Sequence, residues 1–368
     1  MYWFYIIAFI IFVPIGIYFY RYLEKLLKTI KIDSSDIFIK FLLIVASITI
    51  VLICTNIRFV WSIILMHLFF ISIFIDFIVY VLGKILNKRK MRKIKKVTDT
   101  ALIPLIITAI VIVFGYYNMT NIKEVTYNIE TKKELLQDYK IVYLSDIHYG
   151  NAIDKKILNE QVKKINEEEP DILILGGDIV DEGTTILELY QVFSALSNIK
   201  TKYGTYFIYG NHEVFENKEF TKSELEFVIE NHNIIILSDA TYMINNEITL
   251  IGRNDAAFAR TANREISEKL IKGLNKENFL IMLDHQPIDL EKNATLGYDL
   301  QLSGHTHGGQ LFPIGIIDKL FKINEMNYGY KKIDDFQAIV SSGMSGWAYP
   351  IRTQKHSEYV VINLKSVK

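Results

Sequence analysis

The sequence predicts a strand-rich α/β domain that follows a bundle of about four transmembrane helices. Three observations lead to this fold class. Long apolar stretches are concentrated in the first 120 residues, short apolar runs alternate with helix-like segments from about residue 121, and polar clusters stand where many of those runs end. We therefore divide the chain into a transmembrane region, residues 1–120, and an α/β domain, residues 121–368.

The composition limits the classes of protein and of site that the chain can form. Hydrophobic residues make up 50% of the chain and the mean hydropathy is positive, which is high for a soluble enzyme. The 41 basic and 41 acidic residues balance, so nucleic acid is not expected as a structural partner. Cys54 is the single cysteine, which excludes an intramolecular disulfide framework and a cysteine-built zinc site. A metal would have to be held by His, Asp, Glu or Asn.

Four stretches in the first 120 residues approach the roughly 20 apolar residues that span a hydrocarbon core. The predicted spans cover residues 2–20, 37–55, 59–82 and 101–117. The first is too long and too aromatic for a signal peptide, and it has neither a basic start nor a small-residue cleavage site. We expect it to be retained, which predicts a multi-pass membrane protein.

The positions of lysine and arginine predict the orientation of the chain in the membrane. Basic residues are concentrated in the link after the first span and in the link 84–96 after the third, whereas the turn between spans two and three carries only Arg58. The positive-inside rule places both basic links in the cytoplasm and the domain after the fourth span outside it. We interpret the run at 84–96 as a topology determinant that contacts anionic headgroups, not as a nucleic-acid site.

Two polar residues stand inside the third predicted span. His67 and Asp76 are nine positions apart, which puts them on opposite helix faces, so these two alone do not form a proton relay. We expect packing or snorkelling roles, with Asp76 available to pair with a lysine near the basic end of the span.

Short apolar runs predict the strands of the second domain, and a helix is predicted before Pro170 and another at 186–199. The predicted strands are YKIVYLSD, DILILGGD, GTYFIYGNHE, NIIILSD, ITLIGRND, NFLIMLDH, YDLQLSGHTH, QAIVSSG and EYVVINL. In such folds ligands gather in the loops beyond the carboxyl ends of strands. Five of the eight histidines lie in polar clusters at such ends, which read Asp146-Ile147-His148, Gly177-Asp178, Gly210-Asn211-His212-Glu213, Asp284-His285 and Gly304-His305-Thr306-His307.

The ordered set D-x-H, G-D, G-N-H-E, a lone histidine after a strand and G-H-x-H resembles the calcineurin-like metallophosphoesterase superfamily. The fuller strings GNHE, DHQP and GHTHGGQ resemble its membrane-associated bacterial phosphodiesterase branch, and the match runs from about Tyr139 to the C-terminus. The resemblance implies a four-layer fold, a two-sheet sandwich flanked by helices, with two metal ions at the strand ends. The helical front of the chain is not part of it.

The resemblance also implies a ligand set for two divalent ions that share a hydroxide aimed at phosphorus. Asp178 matches the bridging carboxylate. Asp146, His148 and His307 match further ligands of the first ion, and Asn211, His285 and His305 match those of the second. The paired histidines of GHTHGGQ would thus serve different ions, with Gly304, Gly308 and Gly309 permitting a tight backbone approach. A mixed oxygen and imidazole shell suits Mn, Fe or Zn better than Mg.

Further site residues are expected around these ligands. In the family, the histidine that matches His212 stands over the leaving oxygen as general acid, with Glu213 positioned to orient its ring. Arg253 and Arg352 are candidate substrate-binding residues, since a guanidinium matches phosphate oxygens, and each could equally form a structural ion pair.

These observations predict a membrane-anchored, dinuclear metal phosphohydrolase, with diesters favoured over monoesters. Its expected partners are the lipid bilayer and an extracytoplasmic, lipid-linked or cell-envelope phosphoester. One alternative is a phosphomonoesterase of the same mechanism, and another is a non-catalytic membrane receptor or scaffold. A third makes the helical bundle primary, as a transporter or lipid-handling module that the esterase domain regulates.

Overall fold

The computed structural model describes residues 2–55, 60–260 and 264–367, with the side chains of residues 2–11, 259 and 260 outside the description. The chain divides into two compact units, Met1–Phe114 and Gly115–Lys368. Arg58, on which the topology prediction draws, lies outside the described residues.

The first unit is helical. Its helices are α1 (Tyr2–Thr29), α2 (Ile37–Thr55), α3 (Val60–Ile85), α4 (Lys88–Thr98) and α5 (Leu102–Thr120), the last of which carries its final turn into the second unit. Among the described residues, α2, α3 and α5 are long and apolar enough to cross a membrane, and they coincide with three of the four predicted spans. The other predicted span, 2–20, lies within α1, but part of its side chains lies outside the description.

Polar groups in the first unit are paired with one another. Asp76 accepts a hydrogen bond from the Tyr18 hydroxyl at 2.8 Å, and its carboxylate lies 3.8 Å from Nζ of Lys25, a lysine of α1 and not of the basic end of the third span. His67 Nδ1 donates to the Ile63 carbonyl one turn earlier at 2.8 Å, because a carbonyl oxygen can only accept. The basic link 84–96, predicted only as a connection, forms much of α4.

The second unit contains two six-stranded sheets. Its strands are β1 (Lys123–Thr131), β2 (Tyr139–Leu144), β3 (Ile172–Leu175), β4 (Thr205–Phe207), β5 (Ile234–Ile236), β6 (Ala240–Ile244), β7 (Ile248–Gly252), β8 (Phe279–Leu283), β9 (Leu300–Ser303), β10 (Gly329–Ile333), β11 (Phe336–Val340) and β12 (Glu358–Ser366). The strand orders are β1-β12-β2-β3-β4-β5 and β10-β11-β9-β8-β7-β6. The helices of this unit are α6 (Lys155–Glu167), α7 (Ile186–Leu196), α8 (Asn211–Val214), α9 (Lys222–Asn231), α10 (Ser267–Leu270), α11 (Leu290–Leu296) and α12 (Ile314–Phe321).

The layers follow from the alternation of side chains along each strand. In β8, Phe279 and Ile281 point into the core between the two sheets, whereas Leu280 and Met282 point to the core that α10 and α11 cover. β2 divides its side chains in the same way between the inter-sheet core and the core beneath α6, α7 and α9. The predicted two-sheet sandwich flanked by helices is confirmed.

The direction of the strands positions the functional loops. β2, β3 and β4 run parallel in the first sheet, and β7, β8 and β9 run parallel in the second. The carboxyl ends of parallel strands share one edge of a sheet. Each polar cluster that the sequence analysis singled out follows one of these strands, so the clusters meet at one end of the sandwich.

Candidate metal centre

One group of three side chains joins two distant parts of the chain. Asp146 and His148 follow β2, and His307 lies in a short 3-10 helix, His307–Gly309, after β9. Their candidate ligand atoms all lie within 4.8 Å of one another, with 3.7 Å between His307 Nε2 and Asp146 Oδ1. These are the side chains that the sequence analysis assigned to one ion.

A second group lies beside the first. Asp178, His285 and His305 again place their candidate ligand atoms within 4.8 Å of one another. Asp178 Oδ2 lies 3.0 Å from His285 Nε2, and Asn211 Oδ1 lies 2.7 Å from His305 Nδ1. The group therefore contains every side chain that was assigned to the second ion.

Asp178 stands between the two groups. Its Oδ2 atom also lies 3.8 Å from Nε2 of His148, a member of the first group, and its Oδ1 atom accepts the backbone N–H of His212 at 2.9 Å. One buried carboxylate is thus within reach of both groups. This is the place that a ligand bridging two ions would occupy.

The backbone at these positions is strained. Five of the seven side chains belong to residues with φ between 42° and 68°, namely Asp146, His148, Asp178, His305 and His307. Non-glycine residues rarely adopt this region, and such outliers are concentrated at functional sites. Gly304 and Gly210 permit equally close approaches, because a Cβ at either would stand 2.2 Å from a carboxylate oxygen of the site, Asp146 Oδ2 and Asp178 Oδ1 respectively.

The donor set fits divalent cations. His148 is fully buried, and neither of its ring nitrogens has a hydrogen-bond partner among the described residues. Burial lowers the pKa of His148 to about 3, and burial together with Arg352 lowers the pKa of His307 to about 3, so both rings keep lone pairs for a ligand. Carboxylate, amide and imidazole groups without thiolates suit Mn, Fe or Zn, and this shell does not select among them.

A buried carboxylate and imidazole pair lies within the second group. Burial opposes charge on both Asp178 and His285, but their mutual attraction outweighs it, holding the pKa of Asp178 well below its ordinary value and that of His285 well above. His285 Nδ1 donates to the Gly176 carbonyl at 2.8 Å, which aims Nε2 at Asp178. Ring orientation by a hydrogen bond from the other nitrogen is typical of histidine ligands.

His212 lies next to the candidate metal ligands and is oriented by a residue that the sequence analysis missed. Its Nε2 atom is 4.0 Å from Asp178 Oδ2, while its Nδ1 atom is 2.9 Å from Glu182 Oε2. Burial disfavours the charged ring, but the hydrogen bond to Glu182 and the charge of Asp178 outweigh burial and raise the pKa of His212 to about 9. The ring can therefore carry a proton at Nε2 beside the candidate metal centre.

Comparison with known proteins identifies the family. A calcineurin-like phosphoesterase family model matches residues 139–309, which contain all seven converging side chains. An uncharacterized metallophosphoesterase of Aquifex aeolicus is 30% identical over 246 residues, which cover 65% of this chain and 90% of that relative. The chain belongs to the calcineurin-like phosphoesterase family. The two residue groups fit the two divalent ions typical of the metallophosphoesterase fold.

Two further relatives are matched by this chain over different shares of their length. An uncharacterized metallophosphoesterase of Helicobacter pylori is 32% identical over 234 residues, which are 63% of this chain and 61% of the relative. A Danio rerio protein named transmembrane protein with metallophosphoesterase domain is 28% identical over 302 residues, 77% of this chain and 68% of the relative. This transmembrane relative and the three long apolar helices indicate membrane association.

The expected role of Glu213 needs correction in this phosphoesterase. Its carboxylate accepts four backbone N–H groups, from Asp178, Ile179, Val180 and Gly210, at 2.7–3.2 Å. The ring of His212 is instead held by Glu182. Glu213 therefore fixes the loops that carry Asp178 and Asn211, and Glu182 takes the ring-orienting role. The GNHE string gave no signal for Glu182, which lies in a different loop.

Both candidate phosphate clamps are occupied by protein partners. Arg253 Nη1 lies 2.8 Å from Asp289 and 3.3 Å from Asp284. Arg352 is fully buried and donates to the carbonyl oxygens of Ser342, Ser345 and His307, at 2.6 Å in the case of His307. Arg253 therefore forms the structural ion pair that the sequence left open, whereas Arg352 is held by backbone carbonyls, and substrate binding by either arginine stays a prediction.

Proposed function

We propose that this protein is a membrane-anchored, dinuclear metal-dependent phosphodiesterase that cleaves a phosphoester outside the cytoplasm. The observation that supports the proposal most strongly is the position of Asp178, which lies within 4 Å of Nε2 of both His148 and His285. Two ligand groups that share one carboxylate suit a pair of ions acting on one phosphate.

The residues of the chain have separate tasks in this proposal. Asp178 would be held in common by two ions, with Asp146, His148 and His307 completing the first group and Asn211, His285 and His305 completing the second. Two divalent ions held there would supply an activated water and neutralise charge on the phosphoryl oxygens. His212 donates a proton from Nε2 to the leaving oxygen, and Glu182 holds the ring in the orientation that this transfer needs.

The arginine contacts favour a diester over a monoester as substrate. A phosphomonoester carries one more negative charge than a diester near neutral pH, and a bidentate guanidinium is the side chain best suited to meet that charge. Arg253 is engaged by Asp284 and Asp289, and Arg352 by backbone carbonyls. Neither guanidinium is available for a second phosphate charge, which favours the diester as substrate.

The distribution of basic residues supports an extracytoplasmic site and a multi-pass anchor. The helix α4 contains seven lysines and arginines within Lys88–Thr98, and a segment this basic beside apolar helices is retained in the cytoplasm. One apolar helix, α5, then precedes the catalytic unit. The accessible substrates are therefore lipid-linked or cell-envelope phosphoesters.

Turnover of model substrates tests the proposal. Purified full-length protein in detergent should cleave bis(p-nitrophenyl) phosphate with a kcat/KM at least about tenfold above that for p-nitrophenyl phosphate, a difference of about 1.4 kcal/mol. A chelator should abolish turnover and added Mn²⁺ should restore it, with an Asp178→Asn variant as the inactive control. Preference for the monoester would identify a monoesterase. Two bound ions without turnover of either substrate would favour a receptor or scaffold.

A further inference from the structure

The helix that follows the metal-binding loop has an apolar outer face. In α12, Ile316, Ile317, Leu320 and Phe321 lie within an arc of roughly 140° at 100° per residue. All four are exposed, Leu320 by 73% and Phe321 by 75%. Soluble proteins rarely leave a contiguous apolar patch uncovered, and such a patch marks a binding surface for a protein or a membrane.

The inner face of α12 is fixed to the metal-binding loop. Asp318, which is buried, accepts hydrogen bonds from the backbone N–H of Asn324 at 2.9 Å and from the side chain of Asn327. The carbonyl of Asn327 in turn accepts the hydroxyl of Thr306 at 2.5 Å. Thr306 stands between His305 and His307, so α12 is held in a fixed relation to a ligand of each ion.

The start of α12 is also tied to the end of a membrane-spanning candidate. Asn118, in the last turn of α5, donates its side-chain amide to the carbonyls of Arg352, at 3.1 Å, and Lys355. Thr353 lies between Arg352 and Lys355 in the sequence, and its hydroxyl accepts the backbone N–H of Phe312 at 2.9 Å. Phe312 stands two residues before the first residue of α12. Because the end of a spanning helix lies at the membrane surface, a short chain of contacts connects α12 to that surface.

The charges around the apolar face select the kind of membrane. Lys319 and Lys322 are exposed on or directly after α12, and neither forms an ion pair in the part of the chain that the structure describes. The nearby Glu325 is occupied, since its carboxylate accepts the N–H groups of Asp289 and Leu290 at 2.8 and 2.9 Å. Apolar side chains flanked by unpaired lysines are typical of helices that lie in an anionic bilayer surface. A second copy would bring like charges together.

We propose that α12 and the adjoining Ile323 form a membrane-docking surface that lies in the headgroup region of an anionic bilayer. Docking there sets the loop of His305 and His307 at the level of the lipid phosphates. That consequence for catalysis rests on the proposed function, whereas the docking itself does not require turnover.

Depth measurement by spin labelling tests the docking surface. Full-length protein with Cys54→Ala would carry a nitroxide at Leu320→Cys in nanodiscs of phosphatidylcholine and phosphatidylglycerol. The matched control is Leu187→Cys, whose leucine is 65% exposed on α7 of the same unit. We expect the label at 320 to be shielded from a water-soluble nickel complex and accessible to oxygen, and the label at 187 to show the opposite. Equal nickel accessibility, or dipolar broadening that reports a second copy, would overturn the proposal.

The ratio of turnover of a lipid-embedded diester to turnover of a soluble diester provides a second test of the docking surface. In vesicles of the same lipids, the double variant Leu320→Glu with Phe321→Glu should lower the ratio of lipid-embedded to soluble diester turnover by about tenfold or more, because two apolar side chains no longer insert. Leu187→Glu should leave the ratio unchanged, and an unchanged ratio in the double variant would contradict docking. If the unsubstituted protein cleaves neither diester, the proposed function fails while the label depth still decides the docking surface.

Discussion

The contacts of Glu213 predict how much stability the protein loses when this side chain is removed. Four backbone N–H groups point to its buried carboxylate, so Glu213→Ala leaves four donors without an acceptor. At the low end of about 1–3 kcal/mol for each buried unsatisfied group, the loss is about 4 kcal/mol of unfolding free energy. For a unit of this size that corresponds to a decrease of about 8–16 °C in Tm. Glu213→Gln keeps one carbonyl oxygen and should lose about half as much.

Thermal unfolding of the full-length protein in detergent, followed by circular dichroism, measures these differences. Glu216→Ala is the matched control, because Glu216 is exposed and lies three residues further along the same segment. The expected order of Tm is the unsubstituted protein and the control together, then Glu213→Gln, then Glu213→Ala. If Glu213→Ala melts with the control but slows cleavage of substrates with poor leaving groups, Glu213 acts on His212 and the structural role assigned here is wrong.

The remaining predictions concern metal content, proton transfer and topology. Asp178→Asn should lose more bound metal and more activity than His148→Asn in metal analysis of the purified variants, and two retained ions would exclude a bridging role. His212→Ala should keep its metal and slow substrates with high-pKa leaving groups far more than p-nitrophenyl esters, and Glu182→Gln should act in the same direction to a smaller extent; an equal effect on both substrates would contradict proton donation. A phosphatase reporter fused at the C-terminus should be active and a cytoplasm-dependent fluorescent reporter dark, with the reverse result indicating a miscounted span.

The sequence predicted the buried strands and the edge strand β5, and it missed the other three edge strands of the two sheets. β2, β3, β8 and β9 are buried on both faces, so they appear as continuous apolar runs. β1, β6 and β10 lie at the edges and mix polar and apolar residues, as in KEVTYNIET. One side of such a strand faces solvent, so its composition resembles that of a loop. The basic helix α4 was missed for a similar reason, since lysine-rich composition was taken as a connection.

The ligand groups were predicted as sets from the resemblance to a known family, and the positions of their side chains after strands indicated only that they would gather in the loops at the strand ends. The residues around them were harder to predict. Glu182 lies four positions after Asp178 of the G-D motif but is not part of that motif, and its contact with His212 joins residues thirty positions apart. Arg253 and Arg352 were candidates on charge alone, and only their partners distinguish a structural cation from a substrate clamp. A side chain's partner depends on tertiary packing, which one sequence does not report.

The residue types at the candidate metal centre point to metal binding, but their local backbone propensities do not predict the turns that they form. The strained backbone explains this difference. Five of the candidate ligand residues adopt a backbone conformation that each disfavours in isolation, so the strain must be offset by contacts elsewhere. The structure shows where: His305 N–H donates to Asp146 Oδ1 at 3.0 Å, and His148 N–H donates to the Asp178 carbonyl at 3.0 Å. The ligand loops thus hold one another in place, each carboxylate or carbonyl stabilising the turn that presents the next imidazole. A substitution that relaxes one loop should therefore weaken both ligand groups, including the group to which it contributes no ligand.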